Sequence, residues 1–160
     1  MIFKIFKQVC NIILVVSLIL VFSCTKQLKK VDSSKSVSIT NAWIRAAAAG
    51  MNTALFFDLK GSKYFGDTLK SVEADAAEII QIHETVKDES GKMIMREIGA
   101  TAVPRAKTIF FKPMGKHVMF IVLKNDLLAD DSVKVKFNFA KSKPIIKSVI
   151  VKNFQKPGEK

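Results

Sequence analysis

Cysteine and histidine are scarce: the 160-residue chain holds two of each. Two thiols cannot make a disulfide scaffold, and they exclude any Cys-rich zinc site. Acidic side chains are also few, 14 against 26 Lys plus Arg, leaving a formal charge of +12 and a pI near 9.8. No Gly-x-Ser-x-Gly stretch occurs and neither histidine stands in a nucleophile motif, so hydrolase chemistry has no foothold. No nucleic-acid recognition motif accompanies the basic excess, and nucleic acid is not an expected partner. The lysines are spread along alternating segments, as on the solvated faces of strands. Weak attraction to anionic lipid is the remaining use of that charge. A second domain of ordinary size is excluded by length, because domains run to roughly 100–200 residues. What is present is 49% hydrophobic and 25% charged, which suits a chain that buries a core.

The most apolar stretch stands at the start. Lys4 and Lys7 precede a nearly unbroken apolar run from Asn11 to Phe22, the layout of a secretory signal. The run is short for a bilayer core of about 30 Å, which takes about 20 apolar residues. Val21-Phe22-Ser23-Cys24 resembles the lipobox of bacterial lipoproteins, although Phe22 is bulkier than the usual residue there. An uncleaved anchor helix with an incidental cysteine is the alternative. On the lipoprotein reading, residues 1–23 are a signal peptide and Cys24 carries lipid. Residues 24–36 then form a polar, Lys- and Ser-rich tether. Cys10 leaves with the signal, so the folded part, 37–154, has no thiol and tolerates an oxidising compartment. The expected location is periplasmic or extracytoplasmic, anchored to a membrane by lipid. Residues 155–160 are a polar tail.

Between tether and tail the text is strand-like. Ser132 to Phe139 alternates polar and apolar residues, the signature of a half-buried strand, and Ile145 to Val151 follows behind Pro144. Further strands are expected over Val37–Ala46, Thr53–Leu59, Leu69–Ala74, Glu78–Thr85, Lys92–Ile98, Thr108–Lys112 and His117–Leu123. Glycines, prolines and the Asp88–Gly91 stretch punctuate them. Asp75–Glu78 reads as a turn and Asn125–Leu128 as a short helical one. No segment sustains helical periodicity and no repeat is visible. The expectation is all-β: an antiparallel Greek-key β-sandwich or small barrel with phenylalanines in its core.

Both histidines keep company with methionine. His117-Val118-Met119 sets an imidazole and a thioether on one strand face, and Met93-Ile94-Met95 does so with two thioethers. If the Asp88–Gly91 turn closes a hairpin, His83 and the Met pair become cross-strand neighbours. Thioethers are soft, neutral donors that favour Cu(I) and compete poorly for zinc or magnesium. Two imidazoles and two thioethers suit a Cu(I) ion that is held and then exchanged. Taken singly, each pair reads as packing, since Met commonly fills core gaps. A zinc site from His83, His117 and Glu84 is disfavoured, because Glu84 points away from His83 on a regular strand.

The joint spacing resembles the PCu(A)C-type periplasmic copper chaperones, whose pattern is His, a Met, then His-x-Met. Met95 and His117 enclose twenty-one residues as in that pattern, whereas His83 and Met95 enclose eleven, one more than usual. Met95 is preferred to Met93 because Arg96 follows it, as in the family's Met-x-Met-Arg text. Asn41-Ala42-Trp43-Ile44-Arg45 and Ile82-His83-Glu84-Thr85 resemble other family segments. Pro113-Met114-Gly115-Lys116-His117 resembles a Pro-Gly-Gly-x-His turn with Met114 replacing a glycine, and Ala129-Asp130-Asp131-Ser132-Val133 carries Asp where Gly is expected. The resemblance implies a cupredoxin-like β-sandwich that is not an enzyme. It would bind one Cu(I) through His83, Met95, His117 and Met119 and deliver it to a copper-accepting protein, such as an oxidase subunit or its assembly factor. Met51, Met93 and Met114 are auxiliary thioether candidates; Trp43 either shields the site or fills the core, and the core is preferred. A metal-free structural or adhesive lipoprotein is the alternative. A blue-copper centre is not, for it needs a cysteine beside its histidines.

Overall fold

Strands of alternating character need a partner for every backbone amide and a burial site for every second side chain. The computed structural model, which describes residues 36–154, answers with ten of them. They are β1 (Ser38–Arg45), β2 (Thr53–Lys60), β3 (Asp67–Glu73), β4 (Ala77–Lys87), β5 (Met93–Glu97), β6 (Thr101–Val103), β7 (Thr108–Phe111), β8 (Lys116–Leu123), β9 (Ser132–Phe139) and β10 (Ile145–Lys152). The signal segment, Cys24, nearly all of the tether and the 155–160 tail lie outside the described residues.

The strands form one ladder in the order β5-β4-β8-β7-β2-β1-β10-β9-β3-β6, with β8 also pairing β2. Pairings are antiparallel as expected, except that β1 runs parallel to β10 and Phe111 of β7 meets Lys116 of β8 in parallel. The ladder curls over its own core. Phe57 on β2 and Phe137 on β9 have two whole strands between them in the order, yet their rings meet edge-on at 5.1 Å. Phe111 stacks on Phe57 at 4.2 Å, and all three rings are essentially inaccessible. The sandwich with a phenylalanine core is thus present.

Two local expectations change. β6 is three residues long, too short for alternation to announce it, but Thr101 and Val103 are buried and pair with β3. Asn125–Leu128 is not a helical turn. Leu127 exchanges both of its backbone hydrogen bonds with Ala47, which leaves none for a helix.

One glycine is required by space. A Cβ on Gly61 would sit 2.3 Å from the Pro104 carbonyl oxygen, while the Gly61 amide donates to the Lys107 carbonyl at 2.8 Å. Gly61→Ala must force these segments apart, as overpacking does elsewhere at about 1–3 kcal/mol. A lowered urea midpoint at unchanged slope is the expected result.

Candidate metal centre

The two histidines form one cross-strand pair. β4 and β8 run antiparallel with His83 opposite His117 and Gln81 opposite Met119. Directly opposed residues share a face of the sheet, as do residues two apart on a strand. Ile82, Val118 and Phe120, which alternate with them, are buried in the core, so the histidine face is the outer one. The imidazole centroids are 6.0 Å apart with planes at 45°.

A hairpin brings the Met pair to the same face. Asp88 fixes its loop: its carboxylate accepts from the Ser90 and Lys92 amides and the Ser90 hydroxyl, and Gly91 supplies a φ of +83°. The resulting register sets Met93 opposite Lys87, Met95 opposite Thr85 and Glu97 opposite His83. Met95 and Met119 therefore flank the histidine row on its two sides, each one row away. Met93 shares the face but lies two rows out, about 13 Å along the strand at roughly 3.3 Å per residue.

His117 is only 4% exposed, and its Nδ1 lies 2.9 Å from the Gly115 carbonyl oxygen. A carbonyl can only accept, so Nδ1 carries the proton and the neutral ring keeps its lone pair on Nε2. His83 is held differently. Gln81 donates its amide to Glu97 at 3.0 Å, which turns its carbonyl oxygen toward His83 Nε2 at 3.1 Å. In this arrangement the lone pair of His83 is on Nδ1, and a cation at Nε2 would have to displace Gln81.

Aromatic rings continue the row inward from the histidines. Phe56 on β2 lies 6.4 Å from His117, and Trp43 on β1 lies 4.7 Å from Phe56. Trp43, assigned to the core from sequence, is half-buried on this outer face. The cause is a bulge between Thr40 and Trp43, with Asn41 at φ +52°, which shifts the pleat by one so that Ile44 faces the core. A cavity of about 440 Å³ opens over the row. Met95, Met114, His117 and Met119 share its wall with Phe56 and Phe154. His83 adjoins His117 outside that wall, and Met51 and Met93 are not part of it.

Glu84 points to the opposite face, where it pairs with Lys116 and, at 3.8 Å, Arg96. Among the described residues no group of three or more His, Cys, Asp or Glu is placed to hold a metal. The hard-ligand alternative therefore loses its third donor, Glu84. Sequence reasoning missed Gln81, Glu97 and the Gly115 carbonyl. Gln81 was findable, since it stands two residues before His83 on one strand; the carbonyl carries no sequence signal.

Burial, seconded by the nearby His117, holds the His83 pKa below the usual 6.5, against an opposing pull from Glu97. The unfolded chain therefore takes up a proton at a pH where the folded one still resists it. Stability owed to neutral His83 is complete above about pH 6.5 and is lost as pH falls through the lower folded value. Glu84, held low first by its Lys116 hydrogen bond, titrates below that window. Urea midpoints between pH 5 and 7 should fall with pH in the native chain, and His83→Gln should flatten that slope.

The family described as "Putative lipoprotein LpqE-like" matches residues 37–151. "Putative lipoprotein Lxx21020" of Leifsonia xyli is 29% identical over 123 residues, covering 77% of this chain and 74% of that protein. Among solved structures, the copper-bound PCuAC domain from PmoF2 superposes with a TM-score of 0.62 at 18% identity, covering 74% of this chain and 93% of that one. Apo-DR1885 from Deinococcus radiodurans gives 0.58 at 19%, covering 75% and 80%. Its CuI form gives 0.53 at 18%, covering 76% and 83%. At these identities the structural likeness is one of fold, the cupredoxin-like β fold. By the match over residues 37–151, the chain belongs to the LpqE-like family, with the fold of PCuAC domains.

Proposed function

We propose that this chain is an extracytoplasmic copper metallochaperone, which holds one Cu(I) through His83, Met95, His117 and Met119 and passes it to an acceptor protein. The observation that carries this reading is the shared outer face: two thioethers flank two imidazoles in consecutive rows beside an apolar-walled cavity. The chemistry of that set fits a soft monovalent ion. Neutral thioethers and imidazoles add no charge, so they stabilise Cu(I) without the carboxylates that zinc or magnesium would draw on. His117 meets the further requirement of an oriented lone pair, since its other nitrogen is engaged by Gly115. Fold relatives solved with copper, the PmoF2 domain and DR1885, support the same cargo.

Delivery without turnover follows from the same features. No cysteine occurs between residues 37 and 154, so a blue-copper electron carrier lacks its thiolate. The thioethers cannot be lost to disulfides in an oxidising compartment. Lipid on Cys24 would keep the domain at a membrane, where respiratory oxidase copper centres are the fitting class of acceptor. A metal-free structural lipoprotein is the reading that remains if copper does not bind.

An anaerobic Cu(I) titration of the full chain in detergent against a chromophoric chelator tests the site. One equivalent of Cu(I) should bind, with Zn(II) held far more weakly. Met95→Leu preserves volume and should weaken Cu(I) by about tenfold or more, a loss of at least about 1.4 kcal/mol. Met93→Leu should change little. Stronger retention of Zn(II) would sink the soft-ligand argument, and a damaging Met93→Leu would replace Met95 as the ligand. The anchor has its own test. Cys24→Ala should abolish incorporation of labelled fatty acid and free the protein from detergent-dependent extraction; label persisting on the variant would place the modification elsewhere.

A further inference from the structure

The turn joining β7 to β8 is built on a residue its backbone disfavours. The Gly115 amide donates to the Lys112 carbonyl at 3.0 Å, closing the four-residue turn Lys112-Pro113-Met114-Gly115. Met114, third in that turn, has φ +62°. Proline second and a positive φ third are the marks of a type II turn, whose third position takes glycine. A side chain in the left-handed region costs roughly 1–2 kcal/mol. Burial does not offset that cost, for Met114 is 70% exposed. Neither backbone preference nor packing accounts for a methionine here.

Its position does. Met114 lines the cavity with Met95, His117 and Met119. The same turn is tied to the site, because the Gly115 carbonyl accepts from His117 Nδ1 and from the Thr85 amide. Exposure rises from 4% at His117 to 62% at Met95 and 70% at Met114. The floor is an imidazole and the mouth is sulfur.

We propose that Met114 is a transfer ligand, a thioether that takes hold of Cu(I) as the ion passes between the four resident donors and an incoming soft ligand. The inference rests on the copper reading above. In the exchange step a Cu–S bond to Met114 forms as the Cu–S bond to Met95 breaks. The metal stays Cu(I), both sulfurs stay neutral and no proton moves. Soft donors from the acceptor then replace Met119, His117 and His83 in turn, each bond to Cu(I) breaking as an acceptor bond forms, and the last of them displaces Met114. Such a residue lowers the barrier to exchange and leaves the equilibrium affinity largely to the resident four.

The test compares the native chain with Met114→Leu and Met114→Gly, full length in detergent and loaded anaerobically with Cu(I). Stopped-flow mixing with excess bathocuproine disulfonate gives the release rate, and equilibrium competition with the same chelator gives the affinity. Both variants should release copper about tenfold more slowly, about 1.4 kcal/mol in the barrier, with affinity changed by less than about threefold. Met114→Gly alone should also melt at a higher temperature, which separates relief of the backbone from loss of the sulfur. Unchanged release rates in both variants would overturn the proposal. So would an affinity loss as large as that of Met95→Leu, which would make Met114 a resident ligand. A native chain that binds no Cu(I) would instead remove the copper reading, and this inference with it.

Discussion

The pairing register of β4 against β8 is the constraint on which the site depends. His83 and His117 stand opposite each other because Ile82 opposes Val118 and Ile80 opposes Phe120 on the neighbouring rows. Val118 and Phe120 are wholly inaccessible and Ile82 nearly so. A slip of one residue would turn an imidazole into the phenylalanine core and a valine out to water. The hydrophobic core thus sets the spacing of the polar face above it. The two histidines are set opposite each other by this pairing of buried neighbours.

Much of this was legible in the text. Alternation in Ser132–Phe139 and the Asp88–Gly91 loop announced β9 and the β4–β5 hairpin, because short-range physics decides both. The His83–His117 contact is different. It joins residues far apart in the chain, and only the resemblance to a known spacing linked them before the sheet did. Trp43 was misplaced because a single bulged residue, Asn41, inverts every side chain after it, and asparagine is tolerated there for local reasons. β6 was invisible because three residues make no period.

Two departures from the family's turn text prove informative. Met114 and Asp130 occupy positions where glycine is expected, and both keep a left-handed backbone, at φ +62° and +73°. Topology therefore outranks residue preference at these corners: the neighbouring strands impose the conformation and the side chain bears the cost. At Asp130 the backbone amide finds the Val151 carbonyl, so the turn is fastened to β10. Met114 is fastened through its neighbour Gly115 to the histidine row instead.

The parallel pairing of β1 with β10 makes the domain polar in its attachment. β1 begins at Ser38, opposite Lys60, and reaches the cavity only at its other end, where Arg45 joins the wall. Along β2, Lys60 lies four to six residues beyond the Ala54 and Phe56 rows that line the cavity, roughly 13–20 Å at 3.3 Å per residue. The described chain leaves at the other extreme, since Phe154 is itself part of the cavity wall. Within the described residues the chain therefore enters at the end of β1 remote from the cavity and finishes beside it, so its two ends lie at opposite extremes of the sheet.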